Sequence, residues 1–248
     1  MQSYDLTAGI LSERDPELAI IPIGSIEQHG PHLPVATDWY IATALGQGVA
    51  GVTGGFLIPA LPISTCREHM GLKGSLWMDP NVFYDMLTSI LLSLREQGFK
   101  KVGLLQCHGG VFMITPVIRQ VNATNNPDFM VANVDICEIF TTLSAEGIVE
   151  SKTELHAGEI ETSLMLHIAP DTVHMDLAVD FVPSAPRSYL SYGSIYRLSP
   201  TGVWGEPTLA EPGKGVRILE RCIELAAMEM EKSFSFMQNK EMIGYSSY

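Results

Sequence analysis

Basic side chains are scarce in this chain: 15 Lys and Arg stand against 28 Asp and Glu, giving a formal net charge of −13 over 248 residues. Nucleic-acid binding needs Lys and Arg clustered along a phosphate track, so that class of partner is excluded. Long apolar runs are missing too. No stretch reaches the roughly 18 residues expected of a membrane-spanning helix. Residues 1–10 also lack the basic start and apolar core of a secretory signal. Cysteine is sparse, and the 4 present, Cys66, Cys107, Cys137 and Cys222, show neither a CxxC pair nor zinc-finger spacing. They read as reduced core residues, Cys107 included although it stands beside a candidate site, and the expected compartment is a reducing cytoplasm. Repeats and low-complexity tracts are absent as well.

What is present is apolar: 46% of residues are hydrophobic and 17% charged. That composition suits one large-cored α/β domain spanning 1–248. Strands are expected at 18–23, 56–62, 101–105 and 129–134, with helices at 38–49, 81–97, 115–125, 137–146, 159–168 and 215–234. Thr37 or Asp38 is the expected cap of the first of these helices. The alternation of strand and helix predicts a mostly parallel sheet covered on both faces, a three-layer αβα sandwich. Residues 170–215 carry Pro183, Pro186, Pro200, Pro207 and Pro212 without clear periodicity. They read as a surface excursion, and residues 238–248 as a loosely held tail.

Chemistry concentrates at strand ends. The segment from Ile21 to Asp38 places Glu27, His29, His32 and Asp38 after an apolar run, where Gly24, Gly30, Pro31 and Pro34 stop any regular element. A second apolar strand runs into Cys107, His108, Gly109 and Gly110. A third segment adds Glu154, His156, Glu159 and Glu161 ahead of another apolar stretch. Carboxyl ends of parallel strands face one crevice, so groups far apart in sequence converge there. Mixed carboxylate and imidazole ligands suit Zn²⁺, Mn²⁺ or Fe²⁺ better than Ca²⁺. The supply exceeds what one tetrahedral ion takes, which points to a carboxylate-bridged pair.

These residues resemble the creatininase family of metal-dependent amidohydrolases. The family's first signature stands here as Gly24-Ser-Ile-Glu-Gln-His-Gly-Pro-His-Leu-Pro34 followed by Thr37-Asp38. Its His-Ala-Gly-Glu-x-Glu-Thr-Ser signature runs intact from His156 to Ser163. The second signature departs: the usual Asn-Gly-His-Gly-Gly-Asn is Gln106-Cys-His-Gly-Gly-Val111. The substrate loop departs as well, reading Ser64-Thr-Cys-Arg-Glu-His-Met-Gly-Leu-Lys-Gly-Ser-Leu-Trp-Met78. Lys73 and Trp77 are unusual there, which puts creatinine itself in doubt as the substrate.

The resemblance makes Glu27, His29, Asp38 and His108 metal ligands, with Asp38 as the bridge, and His156 a catalytic acid or substrate orienter. Creatinine-hydrolysing members carry a further ligand Glu at the position of Gly110. Glu159, three residues after His156, is expected to replace it and share the chemistry, the alternative being a helix-dipole cap. Glu161 is expected just outside the ligand shell, and His32 to be structural. Ser75, Trp77 and His69 are the expected substrate contacts, with Arg67 and Lys73 favouring a polar or anionic, partly planar molecule. The implied activity is hydrolysis of a small cyclic amide or related ring. Its alternatives are a formamide or an oxidised cyclitol ring as substrate, and a non-catalytic binding relative. The resemblance also implies a homo-oligomer, often a hexamer in that family, and Tyr189, Tyr192, Tyr196 and Trp204 mark the excursion as its interface.

Overall fold

The computed structural model describes residues 3–239. The strands are β1 (Leu18–Ile23), β2 (Phe56–Leu57), β3 (Lys101–Gln106) and β4 (Met130–Asp135). They form one sheet in the order β2-β1-β3-β4, and every pairing is parallel. Apolar side chains alternate to the two faces, as strands buried on both sides require. Ile21, Ile23, Leu104 and Val131 meet α3 (Pro80–Glu96) and α4 (Ile114–Asn125) through Phe83, Leu87, Leu91 and Val117. Ile20, Leu105, Ala132 and Val134 share the opposite core with α2 (Thr37–Thr53), α5 (Ile136–Ala145), α6 (Glu159–Ile168) and α7 (Pro212–Gln238). The three-layer sandwich is therefore as the pattern predicted. A short α1 (Ala8–Arg14), capped by Thr7, precedes the sheet and was not foreseen.

Register positions the site. Ile23 pairs with Gln106, and Gln106 with Asp135, so β1, β3 and β4 end level. The chain leaves β1 for β2 on one side, while β3 continues to β4 on the other. The gap between β1 and β3 is thus the switch point where open α/β sheets bind ligands.

Several boundaries differ from expectation. The strand predicted over 56–62 keeps only two paired residues plus a bridge from Leu61 to Ile23. Neither Thr37 nor Asp38 caps α2; Ala36 stands there without a side-chain bond, and the Thr37 hydroxyl donates back to Pro34 O at 2.7 Å. Asp38 is left free to turn into the site. Residues 170–211 carry short 3-10 turns, and the closing helix expected from 215 already begins at Pro212. α7 closes against α6 so tightly that a Cβ on Gly215 would lie 2.0 Å from Ser163 O. Apart from residues 238 and 239, the expected tail lies outside the described residues.

Candidate metal centre

Glu27, His29, Asp38 and His108 meet at the switch point, and all four are buried. Glu27 and His29 come from the turn after β1, Asp38 from the first turn of α2, and His108 from the turn after β3. His29 Nδ1 donates to Glu27 O at 3.1 Å, which turns its Nε2 toward Asp38 Oδ1, also 3.1 Å away. His108 Nδ1 lies 3.2 Å from both Glu27 Oε1 and Asp38 Oδ2. Its other nitrogen faces Thr65 O at 3.1 Å. Fixing one imidazole nitrogen on a carbonyl leaves the other free to ligate.

Three groups of side chains are placed to hold an ion, Glu27/Asp38/His108, His29/Asp38/Glu161 and Glu27/His29/His156, each with its donor atoms within 4.8 Å of one another. The first two share Asp38. Glu27 Oε1 and Asp38 Oδ2 are buried yet accept no hydrogen bond. Among the described residues, no Lys or Arg pairs with Glu27, Asp38 or Glu161. Buried carboxylates without a counter-charge cost several kcal/mol each. A divalent cation answers both the orphaned oxygens and the charge, so the residues fit a metal.

The electrostatics agree. Burial opposes a charge on His29, but Asp38, Glu161 and Glu27 outweigh it and raise its pKa to about 10. His108 is likewise held well above the usual imidazole range, burial being overcome by Glu27, Asp38 and Glu68. Burial and the Asp38 charge push Glu161 up to about 7, although His29 pulls the other way. Without an ion, protons on the two imidazoles supply the positive charge. His69 and His156 are pushed the other way, first by burial and then by neighbouring imidazoles, and stay neutral.

Gln28 ties these neutral rings together. Its Nε2 lies 3.0 Å from His69 Nδ1 and from His156 Nε2, and donates to Gly202 O at 3.2 Å. His156 Nε2 donates to Gln28 O at 2.7 Å, which directs Nδ1 toward Glu27 Oε1, 3.9 Å away. His69 Nε2 reaches the same oxygen at 3.2 Å. Sequence reading passed over Gln28, although its place inside the first signature was a signal.

Four side chains, Glu159, Glu161, Trp77 and Ser75, stand elsewhere than expected. Glu159 does not reach the cluster. Its carboxylate accepts from the backbone of Glu150 and Ser151 at 2.9 and 2.7 Å and from Lys214 Nζ at 2.6 Å. Helical i, i+3 spacing from His156 fails because Ala157 sits at φ 52° and breaks the chain direction before α6 begins. Glu161 reaches the cluster instead, with Oε2 3.9 Å from His29 Nε2 and accepting from Ala157 N at 2.5 Å. Trp77 lies outside the cleft, 41% exposed and beneath the Arg67 guanidinium. Ser75 is buried and accepts from Gln28 N at 3.1 Å, so it supports the first signature rather than facing the cleft. His69 does line the cleft. His32 is structural, 2.9 Å from the Thr162 hydroxyl. Cys107 is buried, and burial with the Asp38 charge holds it as a thiol, in line with packing.

Above the cluster opens a cleft of about 450 Å³. Its walls include Phe140, Leu155 and Ile195, and its rim Arg187, Ser188 and Ser191. The excursion therefore shapes the site as well as the surface.

The sequence profile of the creatininase family, described as creatinine amidohydrolase, matches residues 5–229. The chain belongs to the creatininase family. Its members are metal-dependent amidohydrolases, and the first, second and third signatures of this creatininase-family chain supply the cluster just described. The chain is 32% identical over 186 residues to a 3-dehydro-scyllo-inosose hydrolase of Thermotoga maritima, covering 72% of this chain and 58% of that enzyme. It is 30% identical over 226 residues to a mycofactocin precursor peptide peptidase of Mycobacterium ulcerans, covering 83% and 81% of the two. A crystal structure of creatinine amidohydrolase has the same fold, with a TM-score of 0.78 at 23% identity, covering 93% of this chain and 96% of that one. The cyclitol-type relative matches an alternative read from the sequence; a peptide substrate was not foreseen.

Proposed function

We propose that this creatininase-family chain hydrolyses a carbon–nitrogen bond in a small cyclic amide or related ring, using two divalent ions, Zn, Mn or Fe. The observation that carries this reading is the pair of ligand groups sharing Asp38 on the floor of the cleft. Glu27, Asp38 and His108 would hold one ion; His29, Asp38 and Glu161 would hold the other. Bound there, the ions supply a water whose pKa is lowered toward neutrality and polarisation of a carbonyl oxygen.

The protein's own groups do the rest. Neutral His156 is oriented by Gln28 O and faces the cluster through Nδ1, a fit for carrying a proton to the departing nitrogen. His69 is its neighbour, with ring centroids 4.4 Å apart. Phe140, Leu155 and Ile195 exclude water from one side of the substrate. Arg187 packs over the Gly109 backbone and forms no ion pair among the described residues. It favours a substrate with a polar or anionic group at the rim.

A second reading, hydrolytic opening of an oxidised cyclitol ring, is favoured by the Thermotoga relative. Purified protein loaded with Zn²⁺ or Mn²⁺ and assayed against lactams, formamides, keto-cyclitols and short peptides separates the classes. Turnover of lactams is expected. Turnover confined to another class refutes the first reading. Absence of bound metal after purification without chelators supports a non-catalytic relative instead. Free cysteines throughout fit a reducing cytoplasm, and the exposed apolar surface fits a homo-oligomer, as argued below.

A further inference from the structure

We propose that Glu68 is a positioning residue for the metal centre, holding His108 in the tautomer and orientation that ligation needs. This rests on reading the cluster as a metal centre. Glu68 belongs to no ligand group, and it comes from the 3-10 turn Arg67–His69, far in sequence from the turn that carries His108. Its carboxylate nevertheless fills space beside His108 that only a glycine leaves open. A Cβ on Gly110 would lie 1.6 Å from Glu68 Oε1 and 2.4 Å from His108 Nε2. The carboxylate therefore occupies the volume of the absent side chain and stands 3.4 Å from His108 Nε2.

The loops are fastened so that this placement holds. The Thr65 hydroxyl donates to Gly110 O at 2.9 Å, and Thr65 O faces His108 Nε2 at 3.1 Å. His108 Nε2–H thus bonds one neutral acceptor, Thr65 O, with the Glu68 carboxylate beside it at ion-pair distance. With that hydrogen fixed, Nδ1 presents its lone pair between Glu27 and Asp38. The side chain of Glu68 is 16% exposed at the cleft wall, so its partial desolvation strengthens its attraction for the ring. A carboxylate behind a ligating imidazole raises the ring's basicity and fixes its plane, and losing such a partner costs ten- to hundredfold in metal affinity.

The test is Co²⁺ binding to the chelator-stripped protein, followed by chelator competition and by the visible spectrum of the bound ion. Glu68→Ala should weaken binding by about ten- to hundredfold and shift the spectrum, whereas Glu68→Gln, which keeps an acceptor oxygen, should stay within about threefold. The unfolding temperature of the stripped protein should not change, as it would if Glu68 only braced its loop. In a His108→Ala background, Glu68→Ala should cause no further loss, since the two act as one unit. Unchanged affinity and spectrum in Glu68→Ala, or losses that add in the double variant, overturn the proposal. If Glu68→Ala does not fold, Glu68→Asp serves: its withdrawn carboxylate should weaken Co²⁺ binding, and wild-type affinity refutes the role. A wild-type protein that binds no Co²⁺ refutes the metal-centre reading itself, a separate outcome.

Discussion

Asp38 is the residue on which the proposed two-ion site turns, because two of the three candidate ligand groups share it. Asp38→Asn keeps the shape and removes the charge. Metal content by elemental analysis should fall below stoichiometric, and turnover should drop by three or more orders of magnitude, as for loss of a group that acts throughout a reaction. Full metal content with wild-type turnover would rule out the bridge. Glu154 offers a different test at the same scale. Its oxygens accept from the Glu159 and Ile160 backbone at 2.9 and 3.0 Å. Burial first, and then the charge of Glu161, push its pKa from 4.5 up to about 8. The folded state therefore holds this proton more tightly than the unfolded state. Its contribution is fully present below pH 4.5 and is lost as pH rises to about 8. Subtracting the denaturant-unfolding free energy of Glu154→Gln from that of wild type should give a difference that declines across this window, by up to roughly 5 kcal/mol. A flat difference would contradict the assignment.

At the scale of elements, α6 and α7 are joined by one buried ion pair and one close approach. Lys214, in the first turn of α7, bonds Glu159 at 2.6 Å, Glu150 at 2.7 Å and Leu209 O at 2.8 Å. A cation near a helix start opposes the dipole, so its place there reflects Glu159. Lys214→Met strands a buried carboxylate and should destabilise the fold by about 3–5 kcal/mol. Glu159→Gln should lower stability too while leaving metal content at wild-type level; loss of metal would restore Glu159 as a ligand. Gly215→Ala drives a methyl into Ser163 O and should cost about 1–3 kcal/mol by overpacking. Thermal unfolding of the stripped proteins measures all three.

For the whole molecule, the outstanding feature is apolar surface beside the cleft. Leu72, Leu76, Trp77, Tyr189 and Tyr192 are 55%, 52%, 41%, 52% and 78% exposed. Their two loops join where the Ser194 hydroxyl donates to Met70 O at 2.5 Å. A joined apolar patch of this kind marks a contact surface. Of the aromatics expected at an interface, Trp204 is buried and bridges its backbone to His156, and Tyr196 packs by Gly71; Tyr189 and Tyr192 remain. Light scattering should give a mass of at least two chains, and Tyr192→Asp with Leu72→Asp should reduce it. A stable monomer in the wild type would refute the assembly. Metal binding should also stabilise the fold, because the unfolded chain lacks the cluster. At a hundredfold excess over Kd, about 2.7 kcal/mol is added, a rise of roughly 5–10 °C in Tm.

Local pattern alone carried much of this protein. The apolar run at β1, the Gly and Pro residues that stop it, and the His-bearing turn after β3 each announce themselves within a few residues. The strand–helix order then fixes a parallel sheet, and a parallel sheet fixes which ends face the crevice. That is why the segments carrying Glu27, His29, Asp38 and His108 stood out, while the choice of those four side chains came from the resemblance to the creatininase family. Tertiary structure decided the rest, wherever direction rather than spacing matters. Glu159 and Glu161 are two residues apart at the start of α6, and the left-handed Ala157 determines which of them turns inward. The partner that claims Glu159, Lys214, is 55 residues away and carries no local signal. Trp77 looked like a substrate contact by its place in a loop, yet loop side chains are placed by what they pack on, here Arg67. Glu68 gains its place only because Gly110, on another strand's loop, leaves the space, a complementarity that no single stretch of sequence contains.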